Sequence, residues 1–174
     1  MFEIEINNQQ SLLSIDAPSI RERLTQTLGA EGVFAANLSV AIVDDELIHA
    51  VNRDHLEHDY PTDVISFLYD EAQTQPPSSE FRGSGKSLDG ELVISAETAI
   101  RESDCFGWNA EDELTLYLVH GLLHLCGYDD LSESEQAVMR RRERAILQIW
   151  GLEPHYDAAA GNGDSEQTSE EAAL

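Results

Sequence analysis

The chain has 174 residues, enough for one domain with a real core, and carries 34 acidic against 10 basic side chains, a formal charge of -24. A protein this acidic repels nucleic acid in general, so DNA is not an expected partner and any contact with RNA has to be local. No apolar run reaches the roughly 20 residues of a membrane span, MFEIEINNQQ has neither the basic start nor the apolar core of a signal peptide, and Cys105 and Cys126 are too few for a disulfide framework; the expectation is a cytoplasmic protein with no membrane contact.

FEIEI alternates Phe2, Ile4 and Ile6 against acids, as a half-buried strand does. Pro18 opens a helix with Ile20, Leu24 and Leu28 on one face and Gly29 as its stop. NLSVAIV is a second strand, and DDELIHAVNRDHL a helix with acids in its first turn. Thr62–Phe67, TDVISF, reads as a strand after Pro61, whereas DEAQTQPPSSEFRGSGKS has no periodicity and reads as a mobile surface loop. GELVIS, Gly90–Ser95, is the fourth strand. Ser95 then caps one helix and Asn109 caps AEDELTLYLVHGLLHLCG, which is apolar on nearly every side and belongs at the domain centre. Ser132 and Glu135 form a capping box before the last helix, whose apolar stripe is expected along Val138, the stem of Arg142, Ala145, Ile149 and Trp150.

This order predicts an α/β (α+β) fold. Residues 1–152 form a single domain with a small four-stranded mixed sheet packed by about five helices, and a metal site lies at the end of the central buried helix. Residues 153–174 are expected to be an acidic disordered tail. Removing Gly151–Leu174 takes away six acids and no base and leaves the body at -18.

The chemistry concentrates in HGLLHLCGYDD, His120–Asp130. His120 and His124 are one helical turn apart and can point two imidazoles at one cation. Gly127 is a natural helix end, after which the chain doubles back and offers Tyr128, Asp129 or Asp130 to the same point. Three protein ligands and one open position is the catalytic form of a zinc site. Cys126 lies inside the motif, but a small buried hydrophobe is its favoured reading. A zinc peptidase of the H-E-x-x-H kind uses the residue after its first histidine as general base; here that residue is Gly121, which argues against peptidase chemistry.

HGLLHLCGYDD resembles the signature H-G-x-L-H-L-x-G-Y-D-H of the YbeY family of bacterial metal-dependent endoribonucleases, with ten of eleven residues in agreement. NRDHLEHDYPTDVISF (Asn52–Phe67) is similar to the family block centred on P-T-D-V-L-S-F, and GELVIS to G-D/E-I-V-I-S. The three blocks agree in order and spacing, and the resemblance covers about residues 1–150. It implies a single α/β domain holding one zinc ion through three histidines. It also implies cleavage of single-stranded RNA in 16S rRNA 3′-end maturation and ribosome quality control, with ribosomal RNA and the small ribosomal subunit or its associated proteins as partners.

Carried onto this chain, the resemblance makes His120 and His124 the first two metal ligands and puts Asp130 where the third histidine stands. Carboxylate oxygen is an acceptable zinc ligand, so the expected set is His120, His124 and Asp130. Asp129 and Asp63 are the catalytic candidates, with a turn-stabilising role the favoured alternative for Asp129. Asp63 is also a candidate acceptor for the second N–H of a ligand histidine. Thr62 and Ser66 are candidate walls of the substrate cleft; the alternative is a strand entry in which Thr62 and Asp63 satisfy local backbone. Leu56 stands where the family carries a functionally important arginine, so either another base holds the substrate phosphate, with Arg82, Lys86 and Arg101 as candidates, or the activity is weaker or different. Arg140–Arg144, RRRER, reads as a salt-bridged helix face, and His49, His55, His58 and His155 as ordinary polar residues. The rivals to the nuclease are a non-catalytic ribosome-associated metal-binding factor and, with less support, a zinc peptidase.

Overall fold

The computed structural model describes residues 1–156. Four strands, β1 (Phe2–Asn8), β2 (Ala35–Val43), β3 (Val64–Gln73) and β4 (Lys86–Ser95), form one sheet in the order β1-β2-β4-β3. β1, β2 and β4 run parallel, and β3 pairs antiparallel to β4 at the edge. Five helices accompany the sheet: α1 (Ala17–Ala30), α2 (Asp45–Leu56), α3 (Ala96–Phe106), α4 (Ala110–Cys126) and α5 (Glu133–Leu147). The expected α/β domain with a four-stranded mixed sheet is what the chain forms.

The helix starts follow local chemistry. The side chains of Ser95, Asn109 and Ser132 accept the N–H of Thr98, Asp112 and Glu135 respectively, and Asp16 and Asp44 cap α1 and α2 in the same way. Each such cap stabilises its helix by about 1 kcal/mol. α4 lies at the centre, and its Leu118, Leu122, Leu123 and Leu125 are buried between the sheet and the helices. Each fully buried leucine contributes roughly 1.5–3 kcal/mol. α2 covers a smaller core on the other sheet face, where Ile48 meets Val43, Ile65 and Val93.

Two expectations change. The supposed loop Asp70–Ser87 is partly sheet: β3 continues to Gln73 and β4 begins at Lys86, with Asp70–Gln73 paired to Lys86–Asp89. A register shift between Leu68 and Asp70 breaks the alternation that would have revealed the strand, and an exposed edge tolerates the polar residues. The buried stripe of α5 is Met139, Glu143, Ile146 and Leu147, while Ile149 is half exposed. A glutamate within the stripe conceals its period. Pro154 is buried and His155 stacks on Phe106, so the chain packs on the body at least to these residues. The remainder of the expected tail, 157–174, lies outside the described residues.

Candidate metal centre

α4 ends in a turn that brings the site together. Gly127 takes φ 106°, a left-handed conformation that costs a glycine little, and its N–H returns to the carbonyls of Leu123 and His124. Asp130 is thereby carried back over the end of the helix. Its Oδ2 lies 3.7 Å from His120 Nε2 and its Oδ1 3.8 Å from His124 Nε2, and the two Nε2 atoms are 3.0 Å apart. The ligand atoms of His120, His124 and Asp130 all fall within 4.8 Å of one another, and this is the one such group among the described residues. Bonds of about 2.0–2.1 Å to a tetrahedral ion require ligand atoms roughly 3.3 Å apart, which the observed separations bracket.

The tautomers follow from what stands behind each ring. His124 Nδ1 is 3.0 Å from the carbonyl of Tyr128, which can only accept, so Nδ1 carries the proton. His120 Nδ1 donates to Glu143 Oε1 at 2.7 Å. In the neutral rings both Nε2 atoms therefore present lone pairs to each other at 3.0 Å. Facing lone pairs this close repel, and only a proton or a cation between them relieves the repulsion. The donor set thus fits a divalent ion, and the hydrogen bonds behind it hold both rings in the ligating tautomer. Burial disfavours the charged form of His120. The Glu143 hydrogen bond, with the charges of Glu143, Asp63 and Asp130, outweighs it and holds this imidazole above the ordinary range.

Glu143 is the candidate-site residue that sequence reasoning missed. It is 2% exposed, accepts from His120 with one oxygen and from the Tyr156 hydroxyl with the other, and belongs to the run read as a solvated face. The signal was available in part: Met139 and Glu143 are four residues apart on one helix face.

The remaining candidates distribute as follows. Asp63 adds to the field on His120, but its Oδ1 accepts from Thr62 Oγ1 and from the backbone N–H of Val64; the place behind the His120 imidazole belongs to Glu143. Asp129 Oδ1 accepts the N–H of Leu131 at 2.8 Å, the contact of a turn-stabilising acid. Ser66 donates to the carbonyl of Gly121 and ties β3 to α4. A Cβ at Gly121 would lie 2.9 Å from Val64 Cγ2 and 3.0 Å from Leu92 Cδ2, so close helix–sheet packing requires glycine there. Cys126 is buried away from the ligand group, and burial pushes its thiol pKa up.

A cleft of about 330 Å³ opens in front of the two imidazoles, walled by Asn52, Leu56, His58, Tyr60, Thr62 and Ser66. No Lys or Arg lines it. Arg82 pairs with Glu135, Lys86 with Glu71 and Arg101 with Asp45. The structure does not bring these three bases into the cleft.

Over residues 5–151 the sequence matches the family described as Endoribonuclease YbeY. Among relatives bearing that name, one from Rhodopirellula baltica is 44% identical over 125 residues, 71% of this chain and 58% of that protein's own length. One from Salinibacter ruber is 34% identical over 144 residues, 83% of this chain and 89% of the relative. One from Moorella thermoacetica is 39% identical over 159 residues, 86% and 98% respectively. A solution structure of a Thermotoga maritima protein superposes with a TM-score of 0.52 over 97% of this chain and 99% of the other, at 21% identity, and shares the fold.

Proposed function

The chain belongs to the Endoribonuclease YbeY family, and from that premise we propose that it is a zinc-dependent endoribonuclease that processes ribosomal RNA, with His120, His124 and Asp130 as the metal ligands. One observation carries the metal reading: the ligand atoms of His120, His124 and Asp130 gather within 4.8 Å of one another, with an acceptor behind each imidazole. When bound, the ion supplies Lewis acidity toward a phosphoryl oxygen and toward water. The residues around it do the rest. Glu143 and the Tyr128 carbonyl fix the tautomers and ring orientations, and Asp130 completes the donor set. Asp130 in place of a neutral imidazole lowers the charge of the loaded site by one, which acidifies water less. Thr62 and Ser66 wall the cleft where the RNA strand would lie. Asp63 and Asp129 act through backbone and turn geometry rather than by touching substrate.

The substrate is single-stranded RNA, as at the 3′ end of 16S rRNA, and the setting is the cytoplasm. Among the described residues no helix is long and apolar enough to cross a membrane. A body at -18 binds free RNA weakly, so the small ribosomal subunit or an associated protein presents the strand. Equally efficient cleavage of free and ribosome-bound RNA would refute that presentation. The peptidase reading lacks its general base, because Gly121 occupies the position and the packing there excludes a side chain. We take the enzymatic unit to run through Tyr156, because Pro154, His155 and Tyr156 pack on the body.

Metal analysis with single-turnover cleavage of a single-stranded RNA tests the proposal. Wild type is expected to carry one zinc and to cut, and His124→Ala to lose both properties. Full zinc retention by Asp130→Ala would remove the carboxylate from the ligand set. Equal cleavage by wild type and His124→Ala would favour the non-catalytic factor.

A further inference from the structure

RNA brings one negative charge per phosphate to a cleft whose lining holds no Lys or Arg. Nearby, Arg101 pairs with Asp45, Arg82 with Glu135, Lys86 with Glu71 and, at the end of α2, Arg53 with Asp54, while Arg140 lies over Tyr156 in the neighbouring pocket and does not line the cleft. Apart from the two metal ligands, the one cleft-lining side chain able to carry positive charge is His58.

Its placement is built. α2 ends at Glu57, which takes φ 59°, the one left-handed non-glycine residue among those described, and the N–H of His58 returns to the carbonyl of Asn52 at 3.2 Å. A non-glycine residue pays about 1 kcal/mol or more for that conformation, so the turn is held by its surroundings. Asn52 is 2% exposed and fixes the loop from within by donating to the carbonyl of Tyr60. Tyr60 in turn meets His58 Nδ1 through its hydroxyl at 2.9 Å, with the two rings stacked. The His58 Nε2 has no hydrogen-bond partner among the described residues.

Resting on the endoribonuclease reading, we propose that His58 contacts a phosphate of the bound RNA strand through its free Nε2, across the cleft from His120 and His124. When the Tyr60 hydroxyl donates to Nδ1, Nε2 carries the proton and can donate to the phosphate. The other titratable groups sharing the cleft are Tyr60, on the same loop, and His120 and His124 of α4. Glu57 and Asp59 flank His58 in the chain, Asp59 is taken by His49, and Asp130 lies beside the ligand imidazoles.

Fluorescence anisotropy of a labelled single-stranded RNA on the zinc-loaded protein, with cleavage rates measured in parallel, tests the assignment. His58→Ala should bind about tenfold more weakly than wild type, and His58→Arg at least as tightly as wild type, all at equal zinc content. His58→Ala with wild-type affinity would overturn the proposal, as would loss of the contact in Arg53→Ala instead. A wild type that binds in this manner and releases no product would refute the nuclease reading and leave His58 in place. One that cuts while His58→Ala binds unchanged refutes His58 alone. Absence of RNA binding in wild type would overturn both.

Discussion

The two walls of the cleft are made differently. The rear wall, α4 backed by α5, is core: His120 and His124 stand among buried leucines, and each is held from behind by an acceptor in a fixed position. The front wall, the end of α2 and the loop into β3, is surface: Leu56 and Tyr60 are exposed, and order there rests on Asn52 and a few hydrogen bonds. A metal ion needs ligands placed to a fraction of an ångström, which a packed core provides. An RNA strand needs room and charge that can be exchanged, which a loop provides. Rear-wall substitutions should therefore alter metal content and stability, and front-wall substitutions should alter substrate binding at constant metal.

The largest effect is expected from Glu143→Ala. It strands the His120 Nδ1–H and the Tyr156 hydroxyl in a buried place, and should lower metal affinity by about 10–100-fold and stability by about 1–3 kcal/mol. Chelator competition and denaturant melts read the two losses, and Glu143→Gln should recover part of each. Unchanged zinc affinity in Glu143→Ala would break the account of the rear wall. Gly121→Ala comes next. Its methyl group has to displace Val64 and Leu92, at a cost of about 1–3 kcal/mol, visible as a lower Tm.

At the front wall, Leu56→Arg adds a permanent cation to the lining. It should tighten RNA binding by about tenfold with zinc content unchanged, the scale of one charge-assisted contact. Tighter binding accompanied by altered metal content would blur the division between the walls.

The smallest effect belongs to the foot of α2. Burial pushes the Asp45 carboxyl up, but hydrogen bonds from Ser95, Arg101 and Thr98 with the Arg101 charge outweigh it, and the net pKa is lowered. A lowered folded-state value means that the stabilisation is complete above the unfolded value, about 3.9, and is lost as pH falls through the folded one. Arg101 is half exposed, which screens its share. Asp45→Asn should therefore cost about 1 kcal/mol near neutrality, with the difference from wild type closing in acid. Denaturant melts between about pH 2 and 7 would read it.

Much of this was legible in the sequence, because its causes are local. The caps at Ser95, Asn109 and Ser132, the all-round apolarity of α4 and the turn at Gly127 each depend on a few neighbouring residues. Glu143 was not legible, since a glutamate among arginines becomes a buried partner only when another helix supplies His120. The extension of β3 was hidden by its register shift, and the engagement of Arg82 and Lys86 by acids depends on contacts distant in sequence. Pairings across the fold leave no local pattern to read.

Tyr128 is fastened at both ends. Its carbonyl takes His124, while its hydroxyl donates to Glu31 Oε2, a fully buried carboxylate that Arg142 also grips. The turn that carries Asp130 is thus a strut braced between two helices and not a hinge. Metal capture by such a turn requires little ordering of the chain. Folding and metal loading are then separable events: stripping the ion should leave the fold standing and ready to be refilled.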